Sequence, residues 1–359
     1  MKFLKYLSLA FVLGLQITST AKAQEKFTTP TLTNPDSWTM ILLPDPQSYV
    51  KFGRNQGIFE IMTGWIEDNI DPLNIEMVLC TGDLVEQNEL LVPDNVNGNE
   101  PSRSQWIAVS RAFERLDNKV PYILAAGNHD FGYKSVENRI SNYNEYFPAH
   151  RNLSNVNILK EAGKNKEGKP TLQNAAFEFT SPHNRKFLFL NLEFAPRDTV
   201  IYWAQNVVKK ETYKDHTVTV LTHSYLNSKN QHIEKENYPI TDGNYGKAIW
   251  EKLVQPSQNV QLVFSGHIGE ADNFKEHIGF KTDKNSGGKK VNQMTFNAQA
   301  MGGGWHGNGG DGWLRILEFL PDGKTVKVRT FSPFFAISPS TNHLAWNRET
   351  YNEFTFVLD

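Results

Sequence analysis

The chain has 359 residues, with 37 basic and 39 acidic side chains and a formal net charge of −2. Hydrophobic residues make up 39% and charged residues 21%, a globular balance that excludes a fibrous or largely disordered chain. The near-neutral charge argues against a protein built to coat nucleic acid, which would carry a basic excess. The single cysteine, Cys80, excludes an internal disulfide and reads as a small buried hydrophobe.

The first 23 residues form a unit of their own. Lys2 and Lys5 precede the apolar stretch 6–17, and Ala21-Lys22-Ala23 sets small residues two apart before Gln24. That layout predicts a secretory signal peptide cleaved near Ala23, and an exported chain that is periplasmic or secreted. The apolar stretch is shorter than the roughly 20 residues of a comfortable membrane span. No later segment reads as a membrane helix, so no span is expected. Residues 24–36 read as a polar leader and 37–359 as one domain.

Strand-like and helix-like segments then alternate. Residues 40–43 form a short apolar strand ending in Pro44-Asp45. Ile58, Phe59, Met62, Trp65 and Ile66 recur at helical spacing across 55–69. A second strand, 76–81, leads to Gly82-Asp83. A helix over 102–116 follows, with Ser102 or Ser104 as its cap. A third strand, 120–126, ends in Gly127-Asn128-His129-Asp130. Strands separated by crossover helices are expected to be parallel. The Lys- and Gly-rich stretch 152–170 reads as a surface insertion. Residues 175–180 and 186–192 flank Ser181-Pro182-His183-Asn184 as a hairpin, and 200–210 is helical. Strand 217–221 runs into Thr222-His223. Helix 246–254 precedes strand 260–264, which ends in Ser265-Gly266-His267. Strand-like runs at 291–296, 313–319 and 325–330 follow, and 354–358 closes a sheet edge. The pattern predicts an α/β domain with two sheets and outer helices.

The chemistry is positional. Asp45, Asp83, Asn128, His223 and His267 each fall just past a predicted strand. Binding loops gather at the carboxyl ends of parallel strands, so these five groups are expected to meet in one crevice. A glycine directly before Asp83, Asn128 and His267 lets the backbone turn sharply and bring the next side chain up to an ion.

These residues resemble the motifs of the calcineurin-like metallophosphoesterase superfamily. Its pattern is Asp-x-His, Gly-Asp, Gly-Asn-His-Asp or -Glu, a lone His, and Gly-His-x-His. Here the positions read Asp45-Pro46-Gln47, Gly82-Asp83, Gly127-Asn128-His129-Asp130, Thr222-His223 and Gly266-His267-Ile268-Gly269. The resemblance spans 38 to about 335 and implies a four-layer sandwich, two mixed β-sheets flanked by helices. It also implies two divalent metal ions, drawn from Mn, Fe, Zn or Mg. Asp83 would bridge them, Asp45 and Gln47 would help hold the first, and Asn128, His223 and His267 the second. His129, oriented by Asp130, would donate a proton to the leaving oxygen or stabilise its charge. The implied activity is a phosphatase or phosphodiesterase acting on a small or macromolecular phosphoester through metal-bound hydroxide, without a covalent intermediate.

Two positions depart from that pattern. Gln47 stands where the family has its first histidine, and Gly269 where it has its last. As the family pattern is read, both missing imidazoles serve the first ion. Its site is expected to bind weakly and to favour Mn or Mg over Zn. Glu270 and His277 read as a surface acid and a loop histidine, with replacement of the lost ligand by either as the alternative. The same departures motivate an alternative, an exported non-catalytic binding protein with a degenerate metal site.

Weaker features have plain readings. The glycine-rich stretch 302–310 is no Walker loop, since no Gly-Lys-Ser/Thr follows, and it reads as a connection between strands. Its functional reading puts His306 against substrate. His150, His183, His216, His232 and His343 read as surface or structural, and Trp65, Trp106, Trp203 and Trp250 as core. Glu86 reads as a solvated helix residue, and 330–333 as an edge strand stopped by proline.

Overall fold

A computed structural model describes residues 27–89, 92–95 and 98–359. The expected signal peptide and its cleavage point lie outside the described residues. In chain order the first strands are β1 (Trp38–Leu43), β2 (Ile75–Cys80), β3 (Tyr122–Leu124), β4 (Leu159–Lys164), β5 (Pro170–Thr180), β6 (Lys186–Asn191) and β7 (Thr217–Leu221). The rest are β8 (Val260–Ser265), β9 (Ile278–Lys284), β10 (Lys290–Phe296), β11 (Leu314–Phe319), β12 (Thr325–Phe331), β13 (Trp346–Asn347) and β14 (Phe354–Val357).

They make two mixed sheets. The first runs β13-β12-β11-β1-β2-β3, with β14 also on β12, and the second runs β4-β5-β6-β7-β8-β10-β9. Pairing is parallel along β1-β2-β3 and along β6-β7-β8-β10. β1 is buried at every position, as strands covered on both faces require.

Side-chain alternation explains the layering. In β6, Phe187 and Phe189 join the core between the sheets, while Leu188 and Leu190 join a second cluster. That second cluster holds Val200, Ile201, Ala204 and Val207 of the helix Asp198–Val208. The period of two thus sends one face of the sheet inward and the other to a helix. Trp38 of β1 stacks on Phe319 of β11 at 4.1 Å between ring centroids and meets Phe187 of the other sheet edge-on at 5.7 Å. Helices Gln56–Asp68 and Ser102–Glu114 pack on each other through Phe59 and Phe113, 5.7 Å apart. The layers are therefore helix, sheet, sheet, helix. Among the described residues no helix is long and apolar enough to cross a membrane.

Several local expectations change. The stretch 152–170 is not a plain insertion: it holds a helix, Leu153–Ile158, and the edge strand β4, antiparallel to β5. Lysines on an exposed edge strand guard it against pairing and hide its strand character in the sequence. The helix Ser102–Glu114 has no serine cap. Pro101 precedes it with extended backbone, and Ser102 is its first residue. The helical stretch from Gly246 turns from α to π at Trp250–Val254. β12 is not an edge, since β11 pairs on one side and β13 and β14 on the other. The Ser332 hydroxyl accepts a hydrogen bond from Phe335 N–H and starts a short helix there.

Candidate active site

The carboxyl ends of β1, β2 and β3 face those of β7, β8 and β10 across the crevice between the sheets. The loops after them carry Asp45, Asp83 and Asn128 from one side, and His223 and His267 from the other. One oxygen of Asp83 and ring nitrogens of His223 and His267 lie within 4.8 Å of one another. His223 Nε2 is 3.1 Å from Asp83 Oδ2 and 3.1 Å from His267 Nδ1.

Outer contacts set the faces of both imidazoles. His223 Nδ1 lies 2.8 Å from the Thr81 carbonyl oxygen, and His267 Nε2 lies 2.6 Å from Glu236 Oε1. The Ser224 hydroxyl donates to the other Glu236 oxygen at 2.9 Å. With the outer nitrogens donating, the inner nitrogens, once deprotonated, would present lone pairs to a bound cation. Nearby, the side-chain oxygens of Gln47, Asn128 and Gln299 are buried without hydrogen-bond partners. The Asn128 amide donates to Ser135 Oγ at 2.9 Å, which leaves its oxygen for another partner. Buried acceptors are almost always paired. Two imidazole nitrogens, carboxylates and unpaired amide oxygens together form a donor set that fits divalent cations.

Asp45 is fully buried. It accepts from the Thr81 hydroxyl (2.7 Å), the His267 backbone N–H (3.0 Å) and the Asn297 amide (2.7 Å). Asp83 accepts from the His129 N–H at 2.9 Å, and the Asp83 carbonyl accepts from Gln47 N–H at 3.0 Å. The backbone is bent to deliver these groups. Asp83 has φ 49° and His267 φ 76°, left-handed conformations that non-glycine residues seldom adopt. Gly127 and Gly266 allow close approach: a Cβ on either would overlap the carboxylate of Asp83 or Asp45 respectively.

Electrostatics reflect the crowding of acids. Burial pushes the Asp45 carboxyl up to about 6, and burial with the charge of Asp83 pushes Asp130 up to about 7. For Asp83, burial opposes ionisation, but His223 and His129 outweigh it and hold the carboxyl well below its usual range. For His223, burial opposes the charge, yet Asp83 and Asp45 raise it to about 10. The site thus carries protons on histidine where cations would otherwise balance its carboxylates.

A cavity of about 300 Å³ opens at the site, walled by Gln47, Asp83, Asn128, His267 and Gln299 with Lys51, Glu86, His129, Tyr238, Trp305 and His306, while Asp45 and His223 are fully buried outside that wall. His306 is exposed on the rim. Arg54 donates to its carbonyl at 2.6 Å and lies over Phe52 at 4.1 Å. A larger groove of about 440 Å³, near Lys164, Arg197 and Trp203, has none of this chemistry.

Three sequence expectations need correction. Asp130 does not hold the His129 imidazole: His129 Nδ1 lies 2.6 Å from the Glu86 carbonyl oxygen, whereas the Asp130 carboxylate accepts from Gly127 and Val85 N–H. Asp130 sits beneath the site and ties two ligand loops together. Glu86 is not solvated. It is buried and ion-paired to Lys51 at 3.2 Å. His277 is not a surface loop residue either, being fully buried with its ring filling the space beside Gly269. Glu270 is exposed, as expected. His216, paired with Glu178 at 3.0 Å, and His232, stacked on Trp250, have structural partners.

Sequence reasoning missed Glu236, Asn297, Gln299 and Lys51. Asn297 and Gln299 follow β10, a recognised strand run, so the strand-end rule reaches them. Glu236 lies in an aperiodic loop and leaves no local signal.

The fold and the ligand cluster define a two-sheet α/β scaffold with a candidate metal site at its strand ends. The sequence profile of the family described as Calcineurin-like phosphoesterase matches residues 43–270, and the chain belongs to that family. The uncharacterized protein YvnB of Bacillus subtilis (strain 168) is 28% identical over 331 residues, covering 90% of this chain and 22% of that protein. The chain therefore spans about a fifth of that relative's length. Among solved structures, a dimetal phosphatase from Danio rerio aligns at TM-score 0.47 and 13% identity, over 90% of this chain and 99% of that one. GAP50, the anchor in the inner membrane complex of Plasmodium, aligns at TM-score 0.41 and 11% identity, over 90% and 89%.

Proposed function

We propose that this chain hydrolyses phosphoesters with a pair of divalent ions, and that it does so after export. One observation carries the reading. Two inward-facing histidine nitrogens, the Asp83 carboxylate and three unpaired amide oxygens gather beside one cavity of a chain whose family is metal-dependent phosphoesterases. In the assignment we favour, Asp45, Gln47 and Asp83 would hold the first ion, and Asp83, Asn128, His223 and His267 the second.

When bound, such a pair lowers the pKa of water to near neutrality and offsets charge on the phosphoryl oxygens. The chain's own residues supply the rest. Glu86 holds His129 through its carbonyl at Nδ1, leaving Nε2 for the leaving-group oxygen. Burial opposes the His129 charge, but Asp83 and Glu86 outweigh it and raise its pKa, which favours the protonated ring as donor. Asp130 keeps the Gly82 and Gly127 loops in register. Trp305 and His306 bound the side of the cavity where the ester's organic part would sit.

The test is hydrolysis of p-nitrophenyl phosphate and its bis analogue with Mn, Mg, Zn and Fe, with metal content measured on the same samples. Asp83→Ala and Asn128→Ala are each expected to reduce turnover to background. Full activity in both variants would remove the proposal. A metal content near zero without turnover of any ester would favour the binding-protein alternative.

A further inference from the structure

We propose that Gln299 supplies a side-chain oxygen to the first metal site, so that this site is held by oxygen donors alone: Asp45, Asp83, Gln47 and Gln299. The proposal rests on the two-metal reading above and goes beyond it, since Gln299 belongs to none of the five motifs.

Placement is the first argument. β10 pairs in parallel with β8, with Thr295 opposite Ser265. The loop after β10 therefore lies beside the Gly266–Gly269 loop, where the family pattern puts its last histidine. Asn297 ties the β10 loop to Asp45, whose Oδ2 also accepts from His267 N–H. Its amide donates to Asp45 Oδ2 at 2.7 Å, and its own oxygen accepts from Gln299 N–H at 3.2 Å. Gln299 is thus anchored one residue pair away from the carboxylate of the first site.

The second argument is the unpaired oxygen. Gln299 is 3% exposed, its Oε1 is buried with no partner, and the residue is in the wall of the same cavity as Gln47 and Asp83. Leaving a buried carbonyl oxygen unpaired is unfavourable unless positive charge faces it. The rival is His277, whose Nδ1 is also buried and unpartnered. It fills the space beside Gly269, but its Nε2 lies 3.0 Å from the Glu270 carbonyl oxygen. Four oxygen donors and no imidazole suit Mn or Mg better than Zn.

The experiment is calorimetric titration of chelator-stripped full-length protein with Mn, checked by the electron paramagnetic resonance of free Mn. The wild type is expected to bind two ions with unequal affinity. Gln299→Ala is expected to weaken the weaker step about tenfold or more and to leave the tighter step in place. Gln299→Glu, which keeps the shape and adds charge, is expected to tighten the weaker step, and it decides the matter if the alanine variant does not fold. Unchanged steps in both variants would overturn the Gln299 assignment alone, as would loss of the weaker step in His277→Ala but not in Gln299→Ala. A wild type that binds no Mn would overturn the two-metal reading and this proposal together.

Discussion

The two sides of the crevice solve the same problem with different atoms. The side built by β7 and β8 offers imidazole nitrogens, each pinned from behind by a carbonyl or a carboxylate. The side around Asp45 offers carboxylate and amide oxygens, pinned by Thr81, Asn297 and backbone. Imidazole binds borderline and soft cations tightly, whereas carboxylate and amide oxygen suit hard ions that keep some of their water. The difference teaches that one pocket can hold two ions of unlike affinity, and that loss of histidines on one side need not mean loss of a site.

The largest expected contrast comes from one substitution on each side. His223→Ala is expected to abolish the tighter ion and reduce turnover to background. Gln47→Ala is expected to weaken the other ion only, with activity restored by excess Mn. Equal, irreversible loss in both would break the distinction. Next, Glu236→Gln removes the charge behind His267, and a change of outer partner of this kind typically costs about 10–100-fold in metal affinity. Calorimetry on that variant is expected to show the loss in the tighter step alone.

Acid sharpens the contrast further. In the metal-free protein His223 is raised to about 10, so its proton must leave before the imidazole can ligate. Asp45, at about 6, is already ionised above neutrality. Between pH 9 and 7 the tighter ion is therefore expected to weaken by up to about tenfold per pH unit as protons compete for His223, with the other ion little affected. Titrations at the two ends of that range check the sign. Smallest of all, His306→Ala on the exposed rim is expected to raise KM a few-fold or lower kcat slightly. Unchanged kinetics would take His306 out of the substrate's reach.

The sheet framework and five of the convergent groups were legible in the sequence because both rest on local patterns. Apolar runs marked the central strands, and strand ends followed by Gly-Asp, Gly-Asn or Gly-His marked the rim. What stayed hidden depended on distance along the chain or on exposure. β4 and β9 are partly exposed edge strands whose lysines mask their alternation. Glu86 looked solvated because nothing in its neighbourhood announces Lys51, far back along the chain, as its partner. The Asp130 role was misjudged because adjacency to His129 suggested a contact that a tight turn prevents. Glu236 reaches the site from a loop without periodicity, which no spacing argument can anticipate.

The packing of His277 against Gly269 has an evolutionary consequence. Any side chain at 269 would collide with the His277 ring, so a mutation restoring the family's last histidine would be rejected while His277 stays in place. A histidine at 269 therefore requires the His277 ring to move or to be replaced by a smaller side chain, so the two positions are coupled.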